Sequence, residues 1–196
     1  MKKIVGITGG IASGKSTVSS FILELGYPVI DSDQISKELS QKDMSIYKAI
    51  VEVFGNEYLL PNLEIDRKKL GRLIFENEDA RAKLNQITHP KIVEEIQKRI
   101  SKMEENLIFL DIPLLFEAKL SYLCDTIVCV YAPKEIQIQR LMSRDRISKA
   151  YAVQKISSQM SLEEKRKLSD YVIESDEDFQ QTKQKVIKFI EQIKGE

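Results

Sequence analysis

Gly9-Gly10-Ile11-Ala12-Ser13-Gly14-Lys15-Ser16 places a glycine four residues ahead of a Gly-Lys-Ser triplet. That spacing suits phosphate binding. Backbone N–H groups of such a loop, with the N-terminus of the helix it opens, converge on anionic oxygens. Glycines allow the close approach that a Cβ would block. Gly10, Ile11, Ala12, Ser13, Gly14, Lys15, Ser16 and Thr17 are therefore candidate ligands of a nucleoside triphosphate. In that arrangement Lys15 reaches the β- and γ-phosphates, and the Ser16 hydroxyl ligates Mg2+. A glycine-rich turn that fits by chance is the competing reading. It is disfavoured because the apolar run Ile4-Val5-Gly6-Ile7 precedes the loop and a helical pattern follows it, the order such a loop requires.

Two further groups of acids fall where strands should end. Val29-Ile30-Asp31-Ser32-Asp33 puts two carboxylates after a second apolar run, and Leu107-Ile108-Phe109-Leu110-Asp111 puts one after a third. Ligands of a parallel sheet gather beyond the carboxyl ends of its strands. One of Asp31 and Asp33 could take a hydroxyl proton during phosphoryl transfer while the other orders magnesium-bound water. Capping of a helix over 34–40 by Ser32 or Asp33 competes, and the strand-end position favours chemistry. Asp111 occupies the place of a metal-binding Walker-B carboxylate, with a plain strand-end cap as the alternative. Ile112-Pro113 follows it, so the Glu that activates water in many ATPases is missing, which favours transfer to an organic hydroxyl.

Basic residues concentrate over 134–167: Arg140, Arg144, Arg146, Lys149 and Lys155. A solvated face is the ordinary meaning of such a run. Phosphoryl transfer gives arginines a second use, since planar guanidinium forks stabilise charge on the transferring group. Arg140 and Arg144 are four apart, share one helix face, and at least one is expected to be catalytic. His89 is the sole histidine. It is read as a helix-junction residue or one shaping an acceptor site, because phosphoryl transfer needs little base catalysis.

The elements that must position these residues are legible as well. Runs at 3–8, 28–31, 107–111, 126–131 and 171–174 are nearly continuous and β-branched, as buried parallel strands are. Helical patterns between them imply an α/β three-layer fold. Residues about 39–104 carry no strand signal and read as a helical insert. Asp66 is placed as N-cap of a helix over 67–75, Asn77 of one over 78–88. His89-Pro90 is expected to break the pattern, with Pro90 opening another helix to about 104. Ser148 caps a helix after Ile147, and 176–194 is an amphipathic helix with Phe179, Val186, Ile187, Phe189, Ile190 and Ile193 on its apolar face.

Composition narrows the class. With 196 residues the chain has one well-packed domain plus an elaboration. Thirty basic and thirty acidic residues cancel, which argues against a protein that holds long nucleic acids. No apolar run approaches the ~20 residues of a membrane span. Met1-Lys2-Lys3 runs straight into the first strand, leaving no room for a signal peptide. Cys124 and Cys129 read as small core residues of a reducing compartment, so the location expected is cytoplasmic.

Assembled, these residues resemble the dephospho-coenzyme A kinase family nearly end to end. The resemblance rests on Gly6–Ser16, on Ile30-Asp31-Ser32-Asp33, on Thr88-His89-Pro90, on Asp170-Tyr171-Val172-Ile173, and above all on the long string Asp111-Ile112-Pro113-Leu114-Leu115-Phe116-Glu117. It implies a three-layer α/β/α P-loop NTPase fold with a five-stranded parallel sheet. The core would be 1–38 and 105–196, with a lid at about 140–165, and the helical acceptor-binding insert 39–104. It implies ATP-dependent phosphorylation of the ribose 3′-hydroxyl of dephospho-CoA, with Asp33, Lys15 and Arg140 catalytic. Arg140 would also contact ATP, and Ser16 and Asp111 would hold Mg2+. Thr8, Asp31, Asp33, Arg67, His89, Leu114, Leu115 and Phe116 would meet the acceptor. Partners would be ATP and dephospho-CoA alone, with no nucleic acid or membrane, and the chain a monomer or weak homo-oligomer.

The sequence departs from the family's pattern in three places. Ala12 stands where glycine is more usual, Lys37 where arginine is common, and Glu174-Ser175-Asp176 where Asp-Asn-Ser is usual. A kinase of another nucleoside or nucleoside monophosphate shares the phosphate loop and lid, and the 111–117 string and the insert argue against it. A nucleotide-dependent switch is the reading from another class. Guanine switches carry Asn-Lys-x-Asp where this chain has Tyr131-Ala132-Pro133-Lys134.

Overall fold

In the computed structural model, which describes residues 2–175 and 178–195, the expected strands form one five-stranded sheet. They are β1 (Lys3–Gly9), β2 (Val29–Asp31), β3 (Leu107–Asp111), β4 (Thr126–Tyr131) and β5 (Tyr171–Glu174), in the spatial order β2-β3-β1-β4-β5. β1 lies centrally, parallel to β3 through pairs such as Val5–Phe109 and to β4 through pairs such as Ile7–Val128. After β1 the chain goes to one side of the sheet; after β3 it crosses to the other. The reversal puts a crevice outside the carboxyl end of β1, where open α/β sheets bind ligands.

Alternation along the strands makes two apolar faces. Val5, Ile7, Phe109, Val128, Val130 and Ile173 point to one face. There they pack on Val18, Phe21 and Ile22 of α1 (Lys15–Glu24) and on Val186, Phe189, Ile190 and Ile193 of α9 (Phe179–Gly195). Each such side chain contributes about 1.5–3 kcal/mol relative to exposure. Ile108, Leu110 and Cys129 are equally buried on the opposite face. α8 (Leu162–Leu168) packs on β1 and β4 there, giving the three layers. Phe179 departs from the apolar stripe expected of α9. It is 57% exposed and meets Phe21 edge-to-face, with ring centroids 4.5 Å apart.

The chain divides into two compact units, 1–30 with 104–196, and 31–103. The second therefore begins before residue 39 and takes in α2 (Ser32–Leu39). An ion-pair cluster explains this: Arg99 on α5 (Glu78–Lys102) pairs with Glu38 on α2 and, through Nε at 3.0 Å, with Glu95. These bonds hold both carboxyls below their usual range and raise Arg99. The core of this unit joins Ile46, Tyr47 and Ile50 of α3 (Ser45–Phe54) to Ile65 and to Leu70 of α4 (Arg67–Glu76). Asp66 and Asn77 cap α4 and α5 as expected, each accepting backbone N–H groups.

The expected break at His89-Pro90 does not occur: α5 runs through Pro90 without interruption. Proline removes the N–H that would bond the Gln86 carbonyl and crowds that carbonyl. The helix survives because apolar residues on both sides of Pro90 share one packing surface. Leu84 and Ile87 before it and Ile92 after it all pack on the α3–α4 cluster. Thr88 adds a side-chain bond to the Leu84 carbonyl at 2.8 Å. Tertiary burial outweighs the local penalty. Pro90→Ala should therefore stabilise the protein by about 2 kcal/mol, the helical gain less the freedom returned to the unfolded chain; chemical denaturation checks this, and a loss of stability would contradict it.

Candidate functional site

The phosphate loop leaves β1 at Gly9 and enters α1 through Gly14, which has φ 92°. That angle favours glycine, and so does the space. A Cβ on Gly14 would stand 2.1 Å from Ser175 Oγ and 2.9 Å from Ser175 Cβ. Ala12 also sits in the left-handed region, at φ 58°. There an L-residue costs roughly 1–2 kcal/mol, so the alanine noted in the sequence stands at a position whose backbone prefers glycine. Ser13 is 1% exposed, and its Oγ has no hydrogen-bond partner among the described residues.

Behind the loop lies a small ionic cluster. Asp111, the last residue of β3, is 4% exposed. Its Oδ1 pairs with Lys15 Nζ, and its Oδ2 accepts a bond from Ser19 Oγ at 2.7 Å. The register that aligns Ile7 with Asp111 brings the strand end beside the loop. Asp111 is thus bound to the loop's own lysine, beyond the strand-end capping its position alone allowed.

A cleft of about 620 Å³ opens in front of the loop, lined by Ala12, Gly14, Ser16 and Thr17. Arg140 and Arg144 face it from α6 (Lys134–Asp145), so the shared helix face expected of them is the one turned to the cleft. Arg140 donates to the Ser175 carbonyl at 3.1 Å and to Ser175 Oγ at 3.3 Å. Arg144 donates to Asp145, as does Lys155 from α7 (Lys149–Ser157), and the two cations hold the Asp145 carboxyl down at about 2. Ser148 caps α7 as expected. Ser175 and Phe179 also line the cleft. Ser175 stands where the family's asparagine is usual, whereas Phe179 is read from the sequence only as part of an apolar helix face; Gly14 has no room for a Cβ beside Ser175.

The remaining expected site residues divide between the two units. In the first, Thr8 is fully buried and donates to the Pro113 carbonyl at 3.1 Å. Leu115 is also fully buried, with a methyl toward Gly6, while Leu114 is 43% exposed and Phe116 half-buried. Of Leu114, Leu115 and Phe116, only Leu114 and Phe116 therefore offer side-chain surface. In the second unit, Asp31 caps α2, and not the Ser32 or Asp33 of the competing capping reading: its Oδ1 accepts from Asp33 N and Gln34 N. Asp33 is exposed in the first turn, and Lys37 is exposed on the same helix. Arg67 is exposed at the start of α4. His89 is half-buried on α5, and desolvation pushes its pKa below the usual histidine value. Of the Glu174-Ser175-Asp176 segment, Asp176 lies outside the described residues.

The family model described as Dephospho-CoA kinase matches residues 3–181. The chain belongs to the dephospho-CoA kinase family. A dephospho-CoA kinase of Carboxydothermus hydrogenoformans is 42% identical over 194 residues, covering 97% of this chain and 94% of the relative. A dephospho-CoA kinase structure from Campylobacter jejuni superposes with a TM-score of 0.72 at 33% identity, covering 98% of each chain. A Thermus thermophilus protein superposes with a TM-score of 0.87 at 31% identity, covering 96% of each.

For this dephospho-CoA kinase family member, the strained Ala12 yields a direct test. Ala12→Gly should raise stability by up to about 1 kcal/mol, where the same exchange within a helix costs about 0.5–1 kcal/mol. Thermal melting checks it, and a lower midpoint would show that the loop is not strained there.

Proposed function

We propose that this chain transfers the γ-phosphoryl group of ATP to the ribose 3′-hydroxyl of dephospho-CoA, giving CoA and ADP, in the cytosol. The observation that carries the reading is the cleft in which the phosphate loop faces Arg140 and Arg144. Anionic phosphate is the cargo that a helix N-terminus and two guanidinium groups have in common.

The roles follow from chemistry. Backbone N–H groups of Gly10 to Thr17 hold the phosphates, and the Ser13 hydroxyl gains a partner there. Lys15 moves from Asp111 to the β- and γ-phosphate oxygens. Arg140 and Arg144 meet the charge that accumulates on the transferring group. Leu114 and Phe116 offer apolar contact to the acceptor, and Thr8 and Leu115 hold the backbone that presents them. Asp33, with Arg67 and His89, serves the acceptor from the helical unit, and Asp31 fixes the helix that carries Asp33. The 3′-oxygen attacks the γ-phosphorus as the bond to the β-phosphate oxygen breaks, and the hydroxyl proton passes to the Asp33 carboxylate. With little covalent work for the protein, alignment and exclusion of water by the lid supply most of the rate.

The site residues fit magnesium. Ser16 Oγ and the Asp111 carboxylate are hard oxygen donors, and Mg2+ keeps most of its water and needs few protein ligands. When bound, the ion neutralises charge shared between the β- and γ-phosphates. Cytosolic reducing conditions suit the two free thiols, which burial pushes up to about 12 at Cys124 and about 11 at Cys129. No described helix is long and apolar enough to cross a membrane.

Coupled ADP release measured with dephospho-CoA, adenosine, and cytidine or uridine monophosphate tests the reading. Dephospho-CoA should be the preferred acceptor; preference for a monophosphate would reassign the substrate, and nucleotide binding with no acceptor-dependent turnover would point to a switch. Asp33→Asn should lower kcat by about 100-fold or more while leaving ATP affinity nearly intact. Arg140→Ala should lower it by a similar factor, as loss of one transition-state donor does; unchanged turnover in either would remove that residue from the mechanism.

A further inference from the structure

Lys165 is the most deeply buried cation among the described residues, with a side chain that is 0% exposed. It lies in the run Lys165-Arg166-Lys167, which as a sequence reads like a solvated face. An ammonium has three N–H donors, and the structure accounts for all three. Nζ meets Glu117 Oε1 at 2.8 Å, the Pro113 carbonyl at 2.7 Å and the Gly9 carbonyl at 3.4 Å. Glu117 Oε1 also accepts from Met160 N at 3.2 Å, and its Oε2 is buried without a partner among the described residues.

The three segments so joined are far apart in sequence and share a task. Gly9 is the first residue of the phosphate loop. Pro113 to Glu117 belong to the string that follows Asp111. Met160 joins α7 to α8, where the basic segment returns to the sheet. Pro113 O receives Thr8 Oγ1 as well, so β1 is tied to the same turn twice. Gly9 has no slack: a Cβ there would lie 2.6 Å from Ser13 Oγ and 2.9 Å from the Val130 carbonyl. A buried ion pair is a poor device for stability, since packed apolar residues of similar volume often do as well or better.

We infer that Lys165 and Glu117 are positioning residues for phosphoryl transfer, a buried pin that fixes the start of the phosphate loop against the 113–117 turn and the end of the basic helical segment. This rests on the phosphoryl-transfer reading above. Neither side chain touches substrate. Their effect is exerted through Gly9 and Pro113, and it appears in kcat because small misplacements of reacting groups cost rate steeply.

Removing one partner leaves a buried, uncompensated charge, so Lys165→Met alone should lose both stability and turnover. The deciding protein is the double variant Lys165→Met with Glu117→Leu, assayed beside wild type with ATP and dephospho-CoA. Its melting temperature should return to within a few degrees of wild type, while kcat stays down by roughly ten- to a hundred-fold and KM for ATP moves by less than about threefold. Recovery of kcat along with stability would overturn the pin and leave an ordinary structural pair. If the double variant does not fold, Glu117→Gln decides. It keeps an acceptor for Met160 N but loses the charge; lowered kcat at nearly constant KM supports the pin, and unchanged kcat sinks it. Failure of the wild type to phosphorylate dephospho-CoA would instead overturn the reading on which the pin rests.

Discussion

Asp111 is a carboxylate in the interior, bound through one oxygen to Lys15 and through the other to Ser19. Burying an ionised group is costly unless it is paired and hydrogen-bonded. Both partners come from the phosphate loop and its helix, so satisfying this one acid fixes how α1 leaves β1. The parallel register of β1 and β3 then has a chemical consequence, because it delivers Asp111 to the height at which Lys15 can reach it. The apolar packing of α1 and α9 secures the helix from the other side. The sheet is thus more than a scaffold for the loop: its strand order decides which charge the loop's lysine finds before any phosphate arrives.

Lys15 is the loop's principal cation, and while it holds Asp111 its charge is satisfied inside the protein. An anionic ligand must offer Lys15 more than Asp111 does. A triphosphate can, since it presents several oxygens to one ammonium and to the surrounding N–H groups at once. Arg140 is held in a comparable way by Ser175, on the far side of Gly14. Both cations are oriented by neutral or paired partners rather than left to wander. Preorganisation of this kind reduces the ordering that binding would otherwise require.

Much of this was legible in the residues. The strands at 107–111, 126–131 and 171–174 have the bounds their apolar runs suggest, because the interior positions of β3 and β4 are buried and β5 turns Ile173 into the same core. The caps at Asp66, Asn77 and Ser148 were readable since capping is a local exchange between one side chain and the next turn's N–H groups. Pro90 misled for the same reason. Its penalty is local, whereas the packing of Leu84, Ile87 and Ile92 that overrides it comes from elements distant in sequence. The boundary before α2 was hidden because Glu38 looks like any exposed acid until Arg99 is brought against it.

The buried lysine marks the limit of sequence reasoning most sharply. Lys165 sits between Glu164, which completes a capping box with Ser161, and Arg166, which stacks over Tyr131 with its guanidinium carbon 4.9 Å from the ring centre. All three are charged residues of one seven-residue helix, and nothing in their spacing says which faces inward. What turns Lys165 in is a need elsewhere: the carbonyl of Gly9 ends β1, and that of Pro113 lies in the turn just beyond β3, where the sheet's own hydrogen bonds run out. Buried carbonyls beyond the sheet's ladder need donors from the protein, and Thr8 supplies one of them to Pro113. A long side chain with three donors can serve two of them and a carboxylate from a single position. The demand originates in the sheet and the supply in α8, so the pair becomes visible only when the fold has brought them together.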